Sequence, residues 1–306
     1  MKIPTPPPNL PSIMKQVTAK NAARLAEILT KAYDFEPASK PYIPWDKLRH
    51  KTPPDGLSLE EWWFVTKMGR QALQRKVPLQ DKEHRPFTYA LTDEMLKGIE
   101  DVSRDLGGNI GMAEQVTNSA NRDQYLINSL IEEAITSSQL EGATTTRAVA
   151  KAMIRSGRSA TNRDERMILN NYLAMLRIRE LKDQDLSVDL IQEIQRIVTE
   201  GTLDSPEAAG RFQRPDEERI VVADQFDNIF HVPPPAADLN KRIKRLCDFA
   251  NGSSGQAYIP GVIRAIIVHF MLGYEHPFED GNGRTARALF YWMMLKQGYW
   301  LTEFLS

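Results

Sequence analysis

From about residue 92 onward one pattern repeats along the chain: apolar residues at helical spacing, closed by a glycine. Apolar positions three and four apart bury one stripe of a helix. A glycine after the last of them supplies the left-handed residue on which many helices end. The pattern predicts helices over 92–105, 121–141, 145–156, 162–183, 187–200, 236–250, 260–274 and 283–297. Gly142, Gly157, Gly201, Gly252 and Gly298 are the expected stops, and Ser187 the expected N-cap of VDLIQEIQRIVTE. A chain punctuated in this way folds as an all-α protein.

The first hundred residues are less regular. Residues 1–12 are proline-rich and read as extended, 13–33 as helical, and 34–57 as irregular with one short helical turn, because Pro37, Pro41, Pro44, Pro53 and Pro54 fall there. Ser58 and Glu61 have the spacing of a capping box, so a helix starts at Ser58. Trp62, Trp63 and Phe64 on that helix read as core. One later stretch departs from the helical pattern. RIVVADQFDNIFHV, residues 219–232, holds two β-prone runs, Ile220–Val222 and Ile229–Val232, about a polar connector. It reads as a β-hairpin ended by Pro233, Pro234 and Pro235. With no other strands to join, the hairpin is either a surface loop or a flap over a site.

Charge narrows the classes of function. The 306 residues carry 39 Lys and Arg against 40 Asp and Glu, a net charge of -1. No basic excess is present, which argues against nucleic acid as a partner. The apolar runs are too short to span a bilayer, and MKIPTPPPNLP lacks the apolar core of a signal peptide. The lone cysteine, Cys247, reads as a buried small hydrophobe and suits a reducing compartment. The expected location is the cytoplasm, with no membrane partner.

Chemistry concentrates in residues 276–287, HPFEDGNGRTAR. Gly281, Asn282 and Gly283 directly precede a strong helical run. Backbone N–H groups at such a start point at an anion. Arg284 and Arg287 lie on one face of the first turn, where they oppose the helix dipole unless an anion is bound. Asp280 is a single carboxylate beside that cradle, the usual share of protein in a Mg²⁺ site. His276 is a candidate general base for a hydroxyl. Phe278 reads as the apolar pin of the loop. His269, seven residues before His276, reads as structural because it falls on the packed helix. The chain has no GxxxxGK[ST] loop, no kinase catalytic loop and no HExxH.

These residues resemble the Fic family, whose motif HxFx(D/E)GNGRxxR is matched at every fixed position from His276 to Arg287. The approach AIIVHFMLGYEHPF and the stretch 210–235 are also similar to that family. The resemblance covers about residues 121–300. It implies a Fic-type helical domain over 121–306 with one β-hairpin flap at 219–232, preceded by an N-terminal helical extension over 1–120. It implies transfer of AMP from ATP to a Ser, Thr or Tyr hydroxyl of a target protein, self-modification included. His276 would be the base and Asp280 the ligand of Mg²⁺, or of Mn²⁺ in its place. The nucleotide would rest on Gly281, Asn282, Gly283, Arg284, Thr285, Ala286 and Arg287. Ile220, Val221, Val222, Phe230 and His231 would dock the target. SSQLEG, residues 137–142, fits the family's inhibitory pattern through Ser137, Glu141 and Gly142. The inhibitory helix would span 121–142, with Glu141 paired to Arg287 at the edge of the nucleotide site. Family members often form homodimers. They also continue past the motif helix, whereas this chain stops at LTEFLS, which fits either a C-terminal truncation or a short natural form. Two alternatives stay open on the same scaffold: removal of AMP or transfer of another phosphate-linked group, and a non-catalytic nucleotide-sensing module.

Overall fold

The structure is a computed structural model that describes residues 5–33, 42–54, 56–107, 119–224, 226–253 and 257–299; for residues 20, 22 and 119–125 it describes the backbone alone. Pro37, Pro41 and the closing LTEFLS lie outside the described residues. The chain forms two compact units. One comprises Met1–Gln80, Arg85–Gly98 and Asp224–Phe230, the other Asp81–His84, Ile99–Ala223 and His231–Ser306.

The first unit packs α1 (Leu10–Lys20), α2 (Ala22–Tyr33), the single turn α3 (Trp45–Leu48) and α4 (Leu59–Gln71) around Ile13, Ile28, Leu48, Trp63 and Phe64. The helix expected over 13–33 is two helices. Asn21 sits extended at φ −166°, and its side chain accepts the Ala23 N–H at 2.9 Å. An asparagine that bonds its own backbone competes with the helix ladder and breaks it. The capping box at Ser58 and Glu61 forms. A second hairpin, β1 (Gln74–Gln80) against β2 (Pro86–Ala90), was not expected from the sequence. Pro78 lies within β1 and hides its alternation, although Val77 and Leu79 on either side are both buried. The register shift between Lys76 and Gln80 accommodates that proline.

After α5 (Asp93–Leu106), the second unit is helical: α6 (Ser119–Leu140), α7 (Arg147–Ser156), α8 (Arg163–Leu181), α9 (Val188–Thr199), α10 (Leu239–Ala250), α11 (Gly261–Glu275) and α12 (Asn282–Lys296). All five expected glycine stops take positive φ. The central element is α12, which packs on α6, α8, α9 and α11 and is buried on nearly every side. Its Trp292 is fully buried and donates Nε1–H to the Leu181 carbonyl at 3.2 Å. The later hairpin exists as β3 (Val222–Ala223) and β4 (Ile229–His231), shorter than expected. Ile220 and Val221 are not strand, because their stretch is tied elsewhere: Ile220 donates its N–H to Gln213 and Arg219 bonds Pro234 O. The turn is an Asx type, in which Asp224 Oδ1 accepts the N–H groups of Phe226 and Asn228. No helix among the described residues is long and apolar enough to cross a membrane.

Candidate active site

Residues 276–287 form the link between α11 and α12 and the first turns of α12. His276 caps α11 in a left-handed conformation, φ 43°, and its N–H closes on Leu272 O at 2.9 Å. Phe278 is fully buried with its ring 5.3 Å from that of Phe212, which makes it the pin of the loop. Asn282 closes the loop on itself: Oδ1 accepts the Phe278 N–H at 3.0 Å and Nδ2 donates to Phe278 O at 2.8 Å. The same Nδ2 lies 3.4 Å from His276 Nδ1.

Gly281 is the N-cap of α12 at φ 79°, and the helix has neither a side-chain cap nor an acidic residue in its first turn. Glycine is required here on two counts: the positive φ, and the methyl group of Thr199, which lies 2.5 Å from where a Cβ would stand. Uncapped N–H groups at a buried helix start, with no acid of their own, make an anion seat. A carboxylate from elsewhere is beside it. A Cβ on Gly283 would run into the Glu141 carboxylate. Glu141 is placed by the end of α6, where Gly142 donates to Gln139 O and Ala143 to Ser138 O in a Schellman pattern. That ending leaves the Glu141 side chain free to reach across. Arg287 holds it at 2.6 Å through Nη2, while its Nε donates to Ser137 Oγ at 2.7 Å and Nη2 also to Ser137 O at 2.9 Å.

Arg284 sits differently from its sequence neighbour. It is 1 % exposed, and its guanidinium donates to Val198 O at 2.7 Å and to Asp280 Oδ2 at 3.2 Å. Asp280 Oδ1 accepts the Gly281 N–H at 2.5 Å, while nearly half of its side chain remains open. No cluster of three or more His, Cys, Asp or Glu suited to a metal occurs among the described residues. A lone, partly open carboxylate next to an anion seat nevertheless fits Mg²⁺, which takes most of its oxygens from phosphate and water. Thr285 and Ala286 are buried and face the core. His269 packs edge-on to Phe290 and lines a cavity of about 410 Å³ beside Arg287. Of the hairpin residues, Ile220, Val221 and Phe230 are exposed and Val222 half-buried. His231 faces inward, donating Nε2–H to Tyr274 O at 2.7 Å and lying over the Tyr274 ring.

Sequence reading missed several residues that shape the site. Gln195 is fully buried on α9, donates to Asp280 O at 3.0 Å and accepts the Gly210 N–H at 2.5 Å. Arg242 forms a buried, two-pronged pair with Glu275 at 2.7 and 2.9 Å, directly before His276. Nothing local in the sequence marks either one, since each partner is remote in the chain. Removing one member of a buried pair leaves the other charge without compensation. Arg242→Met should therefore cost about 3 kcal/mol of stability, read as a lower urea midpoint. The double variant Arg242→Met/Glu275→Leu should recover most of it. An unchanged midpoint in the single variant would remove the pair from the stabilising core.

A profile of the Fic/DOC family matches residues 185–294. A protein adenylyltransferase Fic of Nematostella vectensis is 30% identical over 169 residues, covering 53% of this chain and 37% of that protein. One of Drosophila mojavensis is 28% identical over 228 residues, covering 72% of this chain and 42% of that protein. The chain thus spans less than half the length of these curated relatives. A solved Fic domain containing signaling protein of Bacteroides thetaiotaomicron aligns with TM-score 0.53 at 19% identity, covering 66% of this chain and 72% of that one, a likeness of fold. With the complete motif on the α11–α12 link and this fold around it, residues 185–294 carry a Fic/DOC-family domain.

Proposed function

We propose that the protein transfers AMP from Mg·ATP to a hydroxyl of a protein, itself included, and that Glu141 holds the activity in check. The relatives named protein adenylyltransferase support the transfer. The observation that carries the restraint is Arg287, which grips Glu141 and Ser137 at the mouth of an uncapped helix N-terminus. The Glu141 carboxylate lies where an anionic phosphate would be drawn. While it stays, Arg287 is withheld from the terminal phosphate and the triphosphate cannot settle squarely.

The chain's own groups account for the proton and the charge. Burial first, then the Arg219 guanidinium and the neighbouring His231, push the His276 imidazole down to about 4, against the pull of Asp280 and Glu141. At pH 7 it is neutral and free to accept a proton. A bound triphosphate adds negative charge nearby and raises the imidazole toward the working pH. His276 takes the hydroxyl proton as the target oxygen bonds to the α-phosphorus, and the bond from that phosphorus to the pyrophosphate oxygen breaks. The backbone N–H groups of Asn282, Gly283 and Arg284 face the charge on the phosphates. Asp280 would hold Mg²⁺, which would neutralise part of the phosphate charge. Arg284, bonded to Asp280, orients that carboxylate. The exposed residues about β3 and β4 support target docking by strand addition, which tolerates varied target sequences.

Incubation of Glu141→Gly protein with α-labelled ATP, CTP, GTP and UTP tests the reading. Label on protein from ATP above all is the expected result. Val222→Pro, which disrupts β3, should lower labelling of a second protein more than ATP binding. Label from none of the four would overturn transfer and favour a sensing module; UTP over ATP would replace the donor.

A further inference from the structure

The backbone carbonyls of the catalytic loop are held mostly by groups from other elements. The carbonyls of Tyr274, Glu275, His276, Pro277, Phe278 and Asp280 each accept a hydrogen bond. Three of the donors lie at the base of the β3/β4 hairpin. The Gln213 N–H reaches Pro277 O at 2.8 Å and His231 Nε2 meets Tyr274 O at 2.7 Å. Arg219 is the third and the most heavily engaged. Its Nη2 donates to Glu275 O at 2.6 Å and to His276 O at 3.2 Å, its Nε to Pro234 O at 2.9 Å, and its Nη1 to Gln213 Oε1.

One planar fork thus joins four points: the chain entering the hairpin at Gln213, the chain leaving it at Pro234, and the last two carbonyls before the loop. Those carbonyls would otherwise be among the unsatisfied acceptors at the end of α11. They belong to His276 and the residue before it, and His276 is in a left-handed conformation that an ordinary side chain does not choose unaided. We propose that Arg219 is a positioning residue: its guanidinium fixes the backbone of His276 and ties it to both ends of the hairpin. The proposal rests on the reading of His276 as the proton acceptor. It gives the hairpin a second role, because a target strand laid along it would stiffen the same fork that aims the base. A lysine cannot take this place, since a single ammonium lacks the fixed planar spread of donors.

The test uses the full chain in the Glu141→Gly background. Arg219→Met should lower kcat for label transfer about 100-fold, the loss expected of a misplaced reacting group, with KM for ATP changed less than about threefold. Arg219→Lys should lose kcat to a similar extent while keeping the acid limb of the pH profile in place. The Met variant should also shift that limb upward, because a positive charge beside the imidazole is gone. Besides Arg219, the groups facing the ring are His231, Asp280 and Glu141, and the first two remain unchanged in every arm. Loss of kcat and ATP affinity in equal measure would overturn the proposal, as would a folded Met variant with kcat within about threefold of its parent. Should Arg219→Met not unfold cooperatively, the Lys variant decides by the same split. Should Glu141→Gly itself transfer no label, the reading of the site fails independently. Arg219 is then judged by NMR titration of the His276 ring, where an upward shift in Arg219→Met upholds the contact and an unmoved titration overturns it.

Discussion

Glu141→Gly should raise self-labelling from α-labelled ATP about 10- to 100-fold over wild type at saturating Mg·ATP, the span of a coupling of one to three kcal/mol. Two features set that size. Arg287 bonds Glu141 at 2.6 Å and is only partly screened from water, so the pair is firm but displaceable. The carboxylate also crowds Gly283 at the start of α12, so its loss frees the anion seat as well as the guanidinium. Stability should change little, by under about 1 kcal/mol, because a half-open ion pair contributes weakly. Arg287→Ala should stay inactive even in the Glu141→Gly background, since the released residue is the one that binds. Self-labelling of wild type and these variants decides the matter. If Glu141→Gly labels no better than wild type with folding intact, the contact is an ordinary helix end and the restraint does not exist.

The second large effect belongs to His276. Replacing it should cut transfer at least about 100-fold, the usual contribution of a positioned general base, while ATP affinity stays within about twofold because the imidazole makes no phosphate contact in the proposed mechanism. Asparagine is the cleaner substitution than alanine, since residue 276 sits at φ 43° and asparagine tolerates that region. Substantial transfer by His276→Asn at unchanged affinity would remove His276 from the role. The same burial has a consequence for acid stability. The folded imidazole is depressed to about 4, below the ordinary value near 6.5. The unfolded chain therefore binds the proton first as pH falls. The stabilisation is present above about pH 6.5 and is lost progressively toward the folded value.

What was legible in the sequence shares one property: it is local. The glycine stops, the capping box at Ser58 and the helix spans from residue 92 onward depend on residues within a few positions of each other, and all appear in the structure. The motif itself is contiguous, and its parts converge as a loop followed by a helix. The failures are also local in origin. Asn21 broke a helix through its own side chain, and Pro78 masked a strand by sitting in the middle of it. The residues that could not be read depend on distant partners. Arg284 bonds the backbone of Val198 and the carboxylate of Asp280, and its spacing in the motif does not announce the first of these partners. Gln195 and Arg219 carry no mark of their role, because that role is defined by carbonyls far along the chain.

That distance bears on how the loop comes into being. Gln195 meets Asp280 across 85 positions, Arg284 meets Val198 across 86, Arg219 meets Glu275 across 56, and His231 meets Tyr274 across 43. Each bond closes a long stretch of chain, and that closure entropy is recovered only after the helices between have docked. The twelve residues from His276 to Arg287 cannot therefore assemble early around a local nucleus. They are a late product of folding, ordered when the surrounding helices are already in place, and a fragment carrying the motif alone would hold its sequence without its shape.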